Sequence, residues 1–152
     1  MPSEIAFSLN GQATAVQVEP GRTLLDVLRN TLGLKATRLG CGLGQCGACT
    51  VLLDERAVSA CDTPMGSVAG KEVTTLEGLG TPEAPHPLQR AFVEEQAMQC
   101  GYCASGILMA AAALLKRIPH PSEDDIRQAL EGNLCRCGVH NRVLRAVRKA
   151  SA

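Results

Sequence analysis

Over roughly the first eighty residues apolar side chains alternate with polar or small ones, the period of half-buried strands. Ile5, Phe7 and Leu9 mark one strand, Val16 and Val18 a second, and Asn10-Gly11 supplies a hairpin turn between them. Pro20-Gly21 breaks the second strand. Thr23 then caps a short helix over residues 24–32, where Leu24, Leu25, Leu28 and Leu32 share one face and Gly33 ends it. Beyond a glycine-rich loop, Thr50 to Leu53 reads as a strand, turned by Asp54-Glu55-Arg56 into another around Val58. A last short strand is expected from Glu72 to Thr75.

Residues 80–87 hold three prolines in eight positions and read as a linker. After it the apolar period lengthens to that of helices. Helices are expected over 88–98, 105–116, from the Ser122 cap to about 131, and over 139–150. The chain is therefore expected to be α+β, with a β-rich domain at 1–79 and a helical domain at 88–152. Met98 and Met109 read as helix core.

Composition narrows the function. Fifteen basic side chains balance fifteen acidic ones, so the chain lacks the basic field of a nucleic-acid binder. One Tyr, two Phe and no Trp leave almost nothing on which bases could stack. The longest apolar run, Gly106 to Leu115, is too short to cross a bilayer, so no direct membrane insertion is expected. No signal peptide is visible and the expected compartment is the cytoplasm, where thiols stay reduced. Eight cysteines there point to metal rather than to disulfides. The end of the chain is basic, with six Arg or Lys against Glu131 from Arg127 onward, and reads as a solvated helix face.

Cys41, Cys46, Cys49 and Cys61 are spaced C-x4-C-x2-C-x11-C, which contains the plant-type [2Fe–2S] pattern. Gly40, Gly42, Gly44 and Gly47 let the backbone wrap a cluster and aim amide N–H groups at its sulfurs. A four-cysteine zinc site is the alternative, although zinc favours paired C-x2-C knuckles and has no need of so many glycines. Cys100, Cys103, Cys135 and Cys137 form the other set, C-x2-C-x31-C-x-C, at helix boundaries where N-terminal dipoles favour an anionic centre. Alone this set fits zinc or iron–sulfur. Beside the first it reads as a second cluster, and two redox centres in one short chain make an electron relay.

The stretches Gly40-Cys41-Gly42-Leu43-Gly44-Gln45-Cys46-Gly47-Ala48-Cys49-Thr50, Gln99-Cys100-Gly101-Tyr102-Cys103 and Gly132-Asn133-Leu134-Cys135-Arg136-Cys137-Gly138 resemble the small iron–sulfur subunit of the molybdenum hydroxylases, the xanthine oxidase family. Within it the likeness is to the small subunits of nicotinate dehydrogenase and isoquinoline 1-oxidoreductase. The resemblance implies a β-grasp, ferredoxin-like domain followed by a four-helix domain. It implies two [2Fe–2S] clusters, the outer on Cys41, Cys46, Cys49 and Cys61 and the inner on Cys100, Cys103, Cys135 and Cys137. It implies that Gln99 and Cys137 lie against a molybdopterin cytosine dinucleotide held by a large catalytic subunit. A flavin or cytochrome c acceptor would receive the electrons. Val139-His140-Asn141-Arg142-Val143 departs from the family's usual Thr-Tyr-Pro-Arg-Ile and weakens any inference about substrate.

No catalytic constellation competes for attention. His86 and His120 sit among prolines and read as structural, and His140 is superfluous beside four thiolates. The second cysteine set, flanked by apolar helix, is expected to be the more buried. A free-standing two-cluster ferredoxin is the other function considered.

Overall fold

The computed structural model of the chain describes all 152 residues. Asn10 and Gly11 take positive φ, 51° and 80°, and so make the tight turn that joins β1 (Ser3–Leu9) to β2 (Gln12–Val18). The strands pair antiparallel with Ile5 opposite Val16, and the alternating Ile5, Phe7, Val16 and Val18 are buried. A second hairpin, β3 (Thr50–Leu53) and β4 (Arg56–Ser59), turns on Asp54 and Glu55, both at positive φ without a glycine. β5 (Glu72–Thr74) runs parallel to β1 and antiparallel to β3, completing a five-stranded sheet of order β2-β1-β5-β3-β4.

The Thr23 hydroxyl accepts the Asp26 N–H and opens α1 (Leu24–Asp26). From Val27 to Thr31 the turn widens to a π-helix, closed by the Leu32 N–H on the Val27 carbonyl. The helix expected over 24–32 is thus two short pieces. Leu24, Leu25, Val27 and Leu28 join the core beneath the sheet, while Leu32 stays half-buried at its edge.

Residues 80–86 carry no regular element. Four helices follow: α2 (Pro87–Glu94), α3 (Ala104–Arg117), α4 (Glu123–Leu130) and α5 (His140–Ala150). Their core is built from Leu88, Phe92, Ile107, Leu114, Ile126, Val143 and Val147, and Leu76 and Leu79 pack against it. α2 stops short of the expected residue 98. Gln96 adopts φ 50°, its N–H reaches the Val93 carbonyl, and the Ala97 N–H reaches the Phe92 carbonyl. That is a Schellman stop made without glycine. Met98 consequently leaves the helix and is 39% exposed instead of core, whereas Met109 is fully buried.

α3 joins the two halves. Every residue from Ala104 to Ala112 is buried, so the helix has no solvent face over that stretch and packs on both the helical core and β3. The architecture is the α+β arrangement the sequence implied, a mixed sheet with a helix pair at its side followed by four helices.

Candidate metal centres

The loop from Gly40 to Cys49 places three cysteines around a ring of backbone donors. The N–H groups of Leu43, Gln45 and Cys46 all donate to Cys41 Sγ, at 3.3, 3.2 and 3.3 Å. Cys41 N–H donates to Cys46 Sγ, Gly44 N–H to Cys61 Sγ and Cys61 N–H to Cys49 Sγ, at 3.2–3.3 Å. Gly42, Gly44 and Gly47 have φ between 69° and 77°, which turns successive amides toward the sulfurs. These donors lower the exposed Cys41 thiol to about 6, the Leu43 N–H contributing most. Cys49, by contrast, is pushed up to about 11, first by burial and then by the nearby Cys61 and Cys46 thiols.

The second set lies where α3 and α5 begin. Cys103 is the N-cap of α3, and the backbone N–H groups of Val139, Cys137 and Gly138, at the head of α5, act on the Cys135 sulfur. Those donors hold Cys135 below its usual value although burial works the other way. Tyr102 N–H on Cys100 Sγ, helped by Cys137, lowers Cys100. Burial pushes Cys103 up to about 12.

All eight cysteines are free, and within each set neighbouring thiols act on one another's charge: Cys41 with Cys46, Cys49 with Cys61, Cys100 with Cys137, and Cys103 with Cys135. No three His, Cys, Asp or Glu side chains converge on a point that a single ion could fill. Two pairs side by side suit a dinuclear centre, each iron taking one pair, better than one tetrahedral zinc. The amide ring fits such a centre too, since it faces the sulfurs where negative charge would collect.

The sequence expectation about burial is overturned. Each set has one exposed cysteine, Cys41 and Cys100, but Cys49 of the first set is 2% exposed whereas no cysteine of the second is buried. The apolar face of α3 is consumed by the helical core and β3, so nothing within the chain remains to cover the cysteines at its head. Gln99 lies exposed beside Cys100, and Cys137 is half-buried.

Sequence reasoning missed the residues that join the two sets. Leu134 N–H donates to the Cys46 carbonyl at 2.9 Å, and buried Asn133 donates through Nδ2 to the Gly47 carbonyl at 3.2 Å. Gly106 rests against that same carbonyl, where a Cβ would overlap it. On another side Tyr102 Oη donates to the Leu39 carbonyl at 2.5 Å, and Arg38 lies over the Tyr102 ring, 5.1 Å from its centroid. Asn133 and Tyr102 stand inside the cysteine motifs, but only their proximity to cysteine marked them. The histidines are structural as expected: His86 caps α2, and His120 Nδ1 lies 2.8 Å from the Ser151 carbonyl.

Comparison with known proteins accords with this geometry. Residues 7–76 match the 2Fe-2S iron-sulfur cluster binding domain family, and residues 75–148 match the [2Fe-2S] binding domain family. Two such domains in series define an electron-transfer protein with two [2Fe–2S] clusters. The chain belongs to the small iron–sulfur subunits of the xanthine oxidase family of molybdenum hydroxylases, and so forms part of an oxidoreductase. It is 53% identical to one of the subunits of nicotinate dehydrogenase from Pseudomonas putida over 151 residues, 99% of this chain and 96% of that protein. It is 51% identical to the alpha subunit of isoquinoline 1-oxidoreductase from Brevundimonas diminuta, covering 97% of each. Among solved structures, aldehyde oxidoreductase from Desulfovibrio desulfuricans superposes with a TM-score of 0.96 at 43% identity. The match covers 99% of this chain and only 17% of that one. Quinoline 2-oxidoreductase from Pseudomonas putida superposes at 0.94 with 36% identity, covering 99% of this chain and 93% of that one. No helix is long and apolar enough to cross a membrane.

Proposed function

We propose that Cys41, Cys46, Cys49 and Cys61 hold the outer cluster and that Cys100, Cys103, Cys135 and Cys137 hold the inner one. The observation that carries this is the pairing of the thiols, two pairs in each set, with backbone amides turned to the sulfurs. When bound, each [2Fe–2S] centre takes up and releases one electron. The chain's own part is to fix each sulfur, and to lower the cost of added negative charge with N–H donors. Residues 1–79 and 88–152 act as the two cluster domains, with 80–87 between them.

A large molybdopterin-binding subunit covers the inner site in this reading, where Gln99 and Cys137 face the cytosine dinucleotide form of the pterin. Large apolar side chains exposed beside the inner cysteines support such a cover: Met98, Tyr102 and Leu134 each stand within two residues of Cys100, Cys103 or Cys135. The likeness to nicotinate dehydrogenase and isoquinoline 1-oxidoreductase subunits favours an N-heteroaromatic substrate for the complex, or an aldehyde by likeness to the aldehyde oxidoreductases. Electrons pass from the inner to the outer site and leave through the exposed residues 40–45 of the loop to a flavin or cytochrome c acceptor. The work is placed in the cytoplasm.

Metal and sulfide analysis of the purified chain tests the assignment. About four irons and four sulfides per chain are expected, with two distinct paramagnetic signals on reduction. Serine at Cys46 should abolish one signal and serine at Cys135 the other. Zinc without sulfide, or loss of the same signal in both variants, overturns the reading.

A further inference from the structure

Three segments carry the cysteines that face across the molecule: 46–49, 103–106 and 133–135. They meet at one atom, the carbonyl oxygen of Gly47. It accepts the Thr50 N–H at 3.2 Å, the Thr50 hydroxyl at 2.8 Å and the Asn133 amide at 3.2 Å. Gly106, three residues after Cys103, rests directly against it. Asn133 is 7% exposed, and Nδ2 also lies 3.5 Å from the Thr50 hydroxyl. One residue away on both strands, the Leu134 N–H donates to the Cys46 carbonyl at 2.9 Å. That hydrogen bond joins a residue with a thiol of the first set to the residue preceding Cys135 of the second. From Cys46 Sγ to Cys135 Sγ the path is therefore covalent throughout, interrupted once by a hydrogen bond.

We propose that Asn133 is a positioning residue for the electron step between the two clusters: its buried amide, donated to the Gly47 carbonyl, keeps the Leu134 N–H seated on the Cys46 carbonyl. The proposal rests on the cluster assignment above. The step itself moves one electron, oxidising the inner cluster and reducing the outer, with no bond broken and no proton moved. A bonded path couples two redox centres more strongly than an equal gap through space, so loosening the seat slows the transfer without changing its driving force.

Asn133→Leu keeps the size of the side chain and removes the donor; Asn133→Ala removes both. Neither strands the Gly47 carbonyl, because both Thr50 donors remain. In the holo-chain bound to its catalytic subunit, three quantities are read: iron and sulfide content, hydrogen exchange at the Leu134 amide, and the rate of electron transfer between the clusters after rapid reduction. Content should stay at the wild-type level. Exchange at Leu134 should rise about tenfold, the equivalent of roughly one hydrogen bond. Transfer should slow several-fold while both midpoint potentials stay unchanged. Faster exchange with an unchanged rate overturns the proposal, as does a slower rate explained by a shifted potential. Loss of a cluster from both variants makes Asn133 a folding residue and also overturns it. A wild-type chain without the expected iron and sulfide sinks the cluster assignment instead, and the proposal with it.

Discussion

At the scale of single residues the junction is governed by what a methyl group would strike. A Cβ on Gly106 would overlap the Gly47 carbonyl, and one on Gly47 would come within 2.6 Å of both Asn133 Nδ2 and the Gly132 carbonyl. Both obstacles include backbone or a pinned amide, which cannot swing aside. Gly132 lies in the same junction, yet a Cβ there meets nothing within 4 Å. Gly106→Ala should therefore cost about 1–3 kcal/mol, the usual range for overpacking a close-packed contact. Gly132→Ala should be close to neutral. Denaturant unfolding of the two variants checks the contrast, and equal midpoints would mean that the Gly47–Gly106 approach is loose in solution.

At the scale of elements, caps decide where the helices begin and stop, and they were unevenly legible. Ser122 and Thr23 were readable as caps because hydroxyl residues before apolar runs are the common solution, and both behave so. The stop of α2 was not, since Gln96 in a left-handed conformation carries no sequence mark. Nor was the π turn after α1, whose Val27 and Leu28 are buried in the first core. The cysteine sets were plain from spacing, whereas the seat between them depends on Asn133, a polar residue buried by tertiary contacts alone. His86 also escaped as a cap. Its Nδ1 accepts the Leu88 N–H at 3.1 Å, and Gln89 Oε1 accepts the His86 N–H in return. Burial, with some help from Lys116, holds the imidazole below the ordinary histidine value of 6.5. A protonated Nδ1 cannot accept, so the folded chain prefers the neutral ring. Stability from this cap is then complete above pH 6.5 and is lost as pH falls through that value toward the lower folded one. His86→Asn retains an acceptor that does not titrate in this range. Thermal unfolding between pH 5 and 8 should show a smaller loss on the acid side for the variant, the window set by histidine's own titration. Identical pH profiles would remove His86 from the stability of α2.

At the scale of the whole molecule, the sheet and the helices divide protection unequally between the sites. Cys49 sits at the end of the loop entering β3 and is enclosed in the first core, the cluster that also holds Leu25, Val51 and Ala60. The second set stands at the heads of α3 and α5, at the edge of the helical core, where Cys103, Cys135 and Cys137 pack against it without being buried. Ion pairs do not close that end. Arg145 and Lys149 bridge α5 to Glu95 and Glu94 on α2, and Arg148 bridges it to Glu123 on α4, all at partly exposed positions worth little individually. Under the proposed assignment, the catalytic subunit completes the inner site by covering it and brings it close to the pterin. Separated from that subunit, the chain should lose its second cluster to a chelator or to air well before its first. The two paramagnetic signals of the reduced protein, followed with time of exposure, check this directly: the signal abolished by serine at Cys135 should decay first. In the assembled complex the two should decay together. Loss of the Cys46-dependent signal first, in the isolated chain, would show that the amide ring and Cys49 burial protect the outer site less than the open helix heads protect the inner one.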